Sequence, residues 1–208
     1  MSAVLDTGTL GELAPAFADP VHDGQQVFRT LLEAMSRPGR IQALPALAGL
    51  GHPADVQPAL AASLLTLLDA DTRLWLSPQL DQPALRAWCR FHCGAQLVAE
   101  PEQADFALMN AAEATPALLL RLNPGDDVAP QDSATALIAV DGISAEGALC
   151  WQGPGIEHQH RLGIEGVSDA LWAWRQAQQA DFPCGIDIVF AAGDQIVALP
   201  RSTLIGEG

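Results

Sequence analysis

The sequence predicts an α/β fold: a single domain in which a mixed β-sheet is flanked by helices. Helical patterns alternate with short apolar, strand-like runs through the middle of the chain. Near the C-terminus, residues 186–191 and 196–199 form two apolar runs on either side of Gly193-Asp194, a hairpin signal. The length of 208 residues, with 49% hydrophobic and 17% charged residues, suits one globular domain. We therefore expect an N-terminal extension over residues 1–20 and one α/β domain over residues 21–205.

Residues 21–35 give the clearest helical pattern, and Pro38-Gly39 ends it. The apolar stripe of this helix consists of Val27, Phe28, Leu31, Leu32 and Met35. Further helices are predicted over residues 58–69, 83–92, 115–122 and 168–180, with Gly94 as the cap of the third. Strands are predicted over residues 73–77, around 97, and over 105–109, 134–140, 148–151 and 156–164, with Asp141-Gly142 as a hairpin turn.

The charge of the chain limits its partners. A formal net charge of -15 repels phosphate backbones and anionic membrane surfaces, so neither nucleic acid nor a membrane is an expected partner. No apolar run approaches the ~18 residues that a membrane helix needs, and residues 1–20 lack the basic start of a signal peptide. We expect a cytoplasmic protein whose four cysteines are reduced thiols.

All ten basic residues are arginine, and lysine is absent. A pyridoxal phosphate enzyme needs a lysine for its Schiff base, and a phosphate-binding P-loop needs a lysine on its phosphates. Both classes are therefore excluded. Arginine, with its fixed fork of donors, is the strong phosphate ligand that the chain retains.

Two groups of residues have partial metal-ligand spacing. Cys89, His92 and Cys93 fall at positions i, i+3 and i+4 of a predicted helix, but a fourth ligand is not apparent, and cysteines on a helix are often buried small hydrophobes. His158 and His160 alternate onto one side of a predicted strand with Glu165 following, as in the first metal motif of cupins. No later histidine completes such a site, and two solvent-facing histidines on an edge strand explain the pattern better. We expect no metal.

Six short segments lie in order between about residues 20 and 203. They are Val27-Phe28-Arg29 with Ala34-Met35-Ser36 and Pro38-Gly39; Leu65-Thr66-Leu67-Leu68-Asp69; Arg90-Phe91-His92; Gly153-Pro154-Gly155-Ile156; Phe182-Pro183 with Gly185-Ile186-Asp187; and Leu199-Pro200-Arg201-Ser202-Thr203. In this order they resemble the PhnH family, the H subunit of the bacterial carbon-phosphorus lyase core complex.

The resemblance implies a subunit that assembles with the G, I and J subunits and supports the coupling of methylphosphonate to the ribose of ATP, with loss of adenine. That activity is alpha-D-ribose 1-methylphosphonate 5-triphosphate synthase, and the iron-sulfur cluster of the later radical cleavage is implied for the J subunit. The implied fold is similar to that of pyridoxal-phosphate-dependent transferases without the cofactor, which agrees with the missing lysine. We expect no cofactor, and a homodimer when the chain is alone.

The polar residues of the matched segments suit anion binding better than bond breaking: Arg90, His92, Asp187 and Arg201 are the candidate ligand-binding residues. There are simpler alternatives for two of them. Arg201 could be a surface cation at the end of a hairpin, and Asp187 could be a turn or hairpin charge that is satisfied by backbone groups.

For an interface, the candidates are Trp172, Trp174 and the turn Gly153-Pro154-Gly155. The two tryptophans lie about 200° apart around a helix, so one of them should lie near the surface. Catalytic residues cannot be assigned. Our leading hypothesis is that the protein is an assembly subunit. The second hypothesis is a stand-alone enzyme that binds a nucleotide or phosphonate, and the third is a small metal-dependent hydrolase.

Overall fold

A computed structural model describes residues 16–45 and 47–207. Of the expected N-terminal extension, the first fifteen residues lie outside the described residues. None of the helices in the described part combines the length and the apolar composition that crossing a membrane requires.

The centre of the fold is a seven-stranded mixed sheet. Its strands are β1 (Gln42–Ala43), β2 (Arg73–Leu76), β3 (Gln96–Leu97), β4 (Phe106–Asn110), β5 (Thr135–Ala139), β8 (Asp187–Ala192) and β9 (Gln195–Leu199). Across the sheet they lie in the order β1-β9-β8-β5-β4-β2-β3. From β3 to β8 every pair is parallel, whereas β9 is antiparallel to both of its neighbours. Six strands therefore run one way and β9 runs the other.

Five α-helices accompany the sheet: α1 (Pro20–Ser36), α2 (Pro58–Leu67), α3 (Pro83–Trp88), α4 (Pro116–Leu119) and α5 (Asp169–Gln178). The first four begin with proline, whose fixed φ and missing N–H suit the first turn of a helix. Helix α1 is capped by Asp19, and α5 by Ser168. Helix α3 continues into a π-helical turn, Cys89–Cys93, which ends as expected at Gly94 in the left-handed region with φ 70°.

The two faces of the large sheet are covered differently. Helices α1, α2 and α3 pack on one face against residues such as Leu76, Leu108 and Leu137. The opposite face, which includes Ile138 and Phe190, packs against α4, α5 and a second sheet. Because successive residues of a strand point to opposite faces, neighbours such as Leu137 and Ile138 serve separate cores.

The second sheet has three antiparallel strands, β6 (Gly142–Gln152), β7 (His160–Glu165) and β10 (Leu204–Glu207). They lie in the order β10-β6-β7. Trp151, Leu162 and Ile205 point from these strands into the core. The sequence predicted one mixed sheet, so this additional sheet is a new feature of the architecture.

The structure corrects several predicted elements. Asp141-Gly142 does not form a hairpin, since β5 and β6 on either side of it belong to different sheets. The helix predicted over residues 115–122 is only the four-residue α4, and the strand predicted from residue 156 begins at His160. Strand β10 was not predicted. On α1, Phe28 and Leu32 are exposed although the apolar stripe placed them in the core.

Candidate functional site

Polar side chains lie at both ends of the parallel strands, and the carboxyl end is the first candidate. The chain leaves β2 for β3 on one side and leaves β4 for β5 on the other, so the connections diverge between β2 and β4. In open α/β sheets, ligands commonly bind at such a switch point. Ser77 directly follows β2, Asn110 ends β4, and Glu113 lies in the next turn.

These switch-point side chains are hydrogen-bonded to one another. The Ser77 hydroxyl donates to Glu113 Oε2 at 2.6 Å, and the backbone N–H of Gln79 donates to Glu113 Oε1 at 3.1 Å. Asn110 Nδ2 donates to Gln79 Oε1 at 3.2 Å. Glu113 therefore ties the loop after β2 to the loop after β4. This group was not predicted from the sequence, although polar residues at the ends of two predicted strands were an available signal.

At the amino end of the parallel strands, Asp187 and Arg201 form a partly buried ion pair. Asp187 begins β8, and Arg201 lies in the turn between β9 and β10. Arg201 Nη2 lies 2.9 Å from Asp187 Oδ2, and the backbone N–H of Arg201 donates to Asp187 Oδ1 at 2.7 Å. Arg201 Nη1 donates to the carbonyl oxygen of Pro130. The pair joins three segments that are distant in sequence.

Arg175 on α5 is a second, fully buried arginine beside this pair. Its Nη1 donates to the carbonyl of Ile186 at 3.1 Å, and its Nη2 donates to the carbonyl of Pro200 at 2.5 Å. Removal from water lowers the pKa of Arg175 to about 10; the charge of Asp187 opposes this shift and the charge of Arg201 adds to it. At neutral pH the guanidinium is still protonated. We call Arg175, Asp187 and Arg201 the amino-edge cluster.

Arg175 was missed from the sequence although a signal existed. It lies four residues after Leu171 and three after Trp172, on the buried stripe of α5. A charged residue on a buried stripe needs internal partners. In the structure its partners are mainly the backbone carbonyls at the start of β8 and after β9.

A cavity of about 490 Å³ opens beside the cluster along the same edge. Its lining includes Arg73, Asp105 and Thr135, and Thr135 is the register neighbour of Asp187. Arg73 donates from Nη2 to Asp105 Oδ1 at 2.5 Å and from Nε to Oδ2 at 3.1 Å. The hydrogen bonds and charge of Arg73 lower the pKa of Asp105.

Replacing Asp105 with Asn should reveal this pKa shift. Because the pKa of Asp105 is lowered in the folded state, the ionised carboxylate stabilises the fold fully at pH values above its ordinary pKa of ~4. This stabilisation is lost as the pH falls through the pKa of Asp105 in the folded state. The pair is half exposed, so we expect Asp105→Asn to reduce the free energy of unfolding by about 1 kcal/mol at pH 7. Urea unfolding at decreasing pH should show the wild type and the variant converging. A difference that is independent of pH would contradict this assignment.

Arg90 and His92 lie apart from the amino-edge cluster. Both belong to the π-helical turn that leads into β3, where Arg90 is exposed and the His92 ring lies 5.3 Å from the Trp88 ring. Strand β3 is four strand positions from β8, roughly 19 Å at the usual spacing. The structure therefore brings Asp187 and Arg201 together, and leaves Arg90 and His92 at the far side of the sheet.

The turn Gly153-Pro154-Gly155 lies between two other segments of the resemblance. A Cβ at Gly155 would lie 2.1 Å from the carbonyl oxygen of Ser36 at the end of α1, and a Cβ at Gly153 would lie 3.0 Å from the carbonyl oxygen of Ser202. Residues at the end of α1, in this turn and after β9 therefore converge in space. Their common feature is close backbone packing.

The two tryptophans of α5 differ in burial, as their spacing predicted. Trp172 is buried and its ring lies 5.6 Å from that of Phe190, whereas Trp174 is only partly buried. Trp174 is the one nearer the surface.

The residues with metal-ligand spacing are dispersed or buried. Cys89 and Cys93 are buried, and the pKa of Cys89 is raised by its hydrogen bond with Cys93 and by burial, which disfavours the thiolate that a metal needs. His158 precedes β7 and is exposed, while His160 packs against Gly39. Across residues 16–45 and 47–207, no three His, Cys, Asp or Glu side chains are grouped so that they could hold a metal ion.

Comparison with known proteins identifies the family. The family model for the bacterial phosphonate metabolism protein (PhnH) matches residues 15–206. The chain belongs to the PhnH family. A relative from Rhizobium meliloti (strain 1021), named alpha-D-ribose 1-methylphosphonate 5-triphosphate synthase subunit PhnH, is 36% identical over 191 residues, which are 90% of this chain and 92% of the relative. A second relative, the putative C-P lyase subunit protein HtxG of Stutzerimonas stutzeri, is 30% identical over 190 residues, 87% of this chain and 85% of its own length.

Proposed function

We propose that this protein is a subunit of a carbon-phosphorus lyase complex in organic phosphonate catabolism. It would support alpha-D-ribose 1-methylphosphonate 5-triphosphate synthase, in which methylphosphonate is coupled to the ribose of ATP and adenine is released. The names of both relatives support this role. Its partners would be the G, I and J subunits of the complex, in the cytoplasm.

The observation that carries the docking role is the outward face of α1. Val21, Phe28 and Leu32 are 70%, 46% and 52% exposed. They are separated by seven and then four residues, so they share one face of the helix. A groove of about 290 Å³ runs between this face and Leu65 of α2. Large apolar side chains grouped on one exposed face are typical of protein interaction surfaces.

The polar groups favour assembly over independent catalysis. The chain has no lysine, and at the switch point Glu113 accepts a hydrogen bond from Ser77 while Asn110 donates one to Gln79. At the other edge, Arg201 directs its donors to Asp187 and Pro130. These contacts stabilise the fold, and they support a subunit that acts through its partners.

A homodimer outside the complex is part of the proposal, with Trp172, Trp174 and the turn Gly153-Pro154-Gly155 as its candidate interface. Trp174 and Pro154 are accessible enough to contact a second copy directly, whereas Trp172 would act by supporting its neighbours. Measuring the size of a Trp174→Ala variant in solution, and so whether it still forms a dimer, tests this proposal. A dimer as stable as that of the wild type would show that Trp174 does not belong to the interface.

We also propose that the fold of this chain is related to that of pyridoxal-phosphate-dependent transferases, without their cofactor. The seven-stranded mixed sheet with one reversed strand is compatible with it, and the missing lysine agrees with the loss of a Schiff base. Superposition of an experimental structure on such transferases would test the relationship, and a different strand connectivity would end it.

Direct ligand binding by Arg90, His92, Asp187 and Arg201 is a separate proposal, the basis of the alternative stand-alone enzyme. Since the two pairs lie on different sides of the sheet, they would contact different ligands or different parts of a large one. Arg90→Gln keeps the fold intact because Arg90 is exposed. Nucleotide or phosphonate binding that is unchanged in this variant would remove Arg90 from the proposal.

Affinity purification from phosphate-starved cells supplied with methylphosphonate tests the subunit role. We expect the tagged wild type to be recovered with the G, I and J subunits, and a Phe28→Ser, Leu32→Ser double variant to lose them. Val128→Ser is the matched control, because Val128 is 93% exposed but lies outside α1. Circular dichroism should show that all three proteins are folded.

Two outcomes would contradict the proposal in different ways. Recovery of the wild type alone, with turnover of a nucleotide or phosphonate, would favour the stand-alone enzyme. Recovery of the double variant with all three subunits would retain the subunit role and remove the α1 face from the interface.

A further inference from the structure

The outer face of the three-stranded sheet contains a polar cavity of about 420 Å³ that plays no part in the function proposed above. Cys150 lies at its centre on β6, directly opposite Arg161 on β7 and Gly206 on β10. The cavity is also lined by Gln152 and Gln159. Since Trp151, the next residue along β6, points into the core, Cys150 and its cross-strand neighbours face outward.

Arg161 is the charged group among the described residues that line the cavity. Like Arg29, Arg40, Arg90 and Arg175, it forms no ion pair within 4 Å with a carboxylate that the structure describes. No acidic residue is among the described residues that line the cavity. An exposed guanidinium whose described neighbours in the recess carry no negative charge can attract an anion, although the protein as a whole has a net charge of -15.

The amide groups add directed donors to this charge. The Cys150 thiol donates to Gln159 Oε1 at 3.1 Å, so the oxygen of that carboxamide is occupied. Its NH₂ group is left as a donor toward the cavity. Gln152 supplies a second carboxamide on the same face. Three donor groups, one of them charged, therefore surround one recess.

Space for a ligand comes from Gly206. A Cβ at Gly206 would meet no heavy atom within 4 Å, so a side chain at this position would extend into open volume. The backbone of Gly206 lies in β10 outside the left-handed region, so a larger residue is tolerated without strain. The absence of a side chain at Gly206 therefore leaves this part of the cavity lining open.

We propose that this recess binds the phosphoryl group of a small molecule. A guanidinium fork and two amide groups match the three terminal oxygens of a tetrahedral phosphoryl group, whereas a carboxylate has only two oxygens to offer. Arg161 supplies the charge, Gln152 and Gln159 donate hydrogen bonds, and Cys150 orients Gln159. All four of these residues belong to this chain.

Titration of the full chain with inorganic phosphate tests the site. At constant ionic strength, we expect phosphate to shift the backbone amide NMR signals of Cys150, Gln159, Arg161 and Gly206. Arg161→Gln should weaken binding by roughly tenfold or more, since it removes the charged donor. Gly206→Val should fill the recess and abolish binding while leaving Arg161 in place. Arg29→Gln, at an exposed arginine of α1, is the matched control and should bind like the wild type.

Each contrary result overturns a defined part of the proposal. No shift at these four amides, or unchanged binding by Gly206→Val in a folded variant, would show that phosphate does not occupy the recess. An equal loss of phosphate binding in Arg29→Gln would show that the effect of Arg161→Gln comes from the change in overall charge. Equal shifts with acetate would remove the preference for a phosphoryl group.

Discussion

Replacing Asp187 with Asn should reduce the free energy of unfolding by about 3 kcal/mol, the typical lower range for removing one partner of a buried ion pair. The variant keeps the size of the side chain but removes the one negative charge of the amino-edge cluster. Arg201 would lose its partner at 2.9 Å, and the buried Arg175 would lose the charge that favours its protonation. Urea unfolding at neutral pH measures the loss.

Asp81→Asn is the matched control for this experiment. Asp81 pairs with Arg86 at 2.5 Å, but both side chains are more than a third exposed, against 18% and 14% for Arg201 and Asp187. An exposed pair typically contributes up to about 1 kcal/mol. Equal losses in the two variants would show that burial does not strengthen the Asp187–Arg201 pair. Combining Asp187→Asn with Arg201→Gln then measures their coupling directly.

These variants test whether Asp187 and Arg201, for which the sequence suggested an anion site, serve the stability of the fold. Arg201 lies in a segment of the PhnH resemblance, and its guanidinium reaches both Asp187 and the carbonyl of Pro130. If the double variant loses stability but retains assembly with the other subunits, the cluster acts by holding the start of β8 to the turn after β9.

Elements with local signals were predictable from the sequence. Prolines at Pro58 and Pro83 mark helix starts because the missing N–H has no cost there, and Gly193-Asp194 marks the β8–β9 hairpin because its residues are adjacent in the chain. Strand β10 carried no such signal. It pairs with β6 about fifty residues earlier, a long-range contact that no local pattern encodes.

The candidate sites were predictable only in part, for the same reason. Asp187 and Arg201 were both identified, but their pairing depends on the hairpin that brings residues fourteen apart into contact. Glu113 and Ser77 are 36 residues apart and meet because β2 and β4 are neighbours in the sheet. The order of strands, which decides these meetings, results from packing across both cores and not from any single segment.

A second large effect is expected for Gly155→Ala, about 3 kcal/mol of lost unfolding free energy. Gly155 has φ +81°, which is unfavourable for alanine, and the new Cβ would lie 2.1 Å from the carbonyl oxygen of Ser36 and 3.0 Å from Pro38 Cδ. Neither neighbour is a flexible side-chain end, so the turn and the end of α1 must move apart. Overpacking of this kind typically costs 1–3 kcal/mol, in addition to about 1 kcal/mol for the φ angle.

Gly193→Ala separates these two contributions. Gly193 also has a positive φ, +60°, but a Cβ there meets nothing within 4 Å, so only the backbone contribution of about 1 kcal/mol remains. If Gly155→Ala loses no more stability than Gly193→Ala, the backbone at Ser36 moves aside at little cost. Close packing is then not the reason for a glycine at position 155. If it loses more but still co-purifies with its partner subunits, Gly155 serves the joint between α1 and β6 and does not contact a partner.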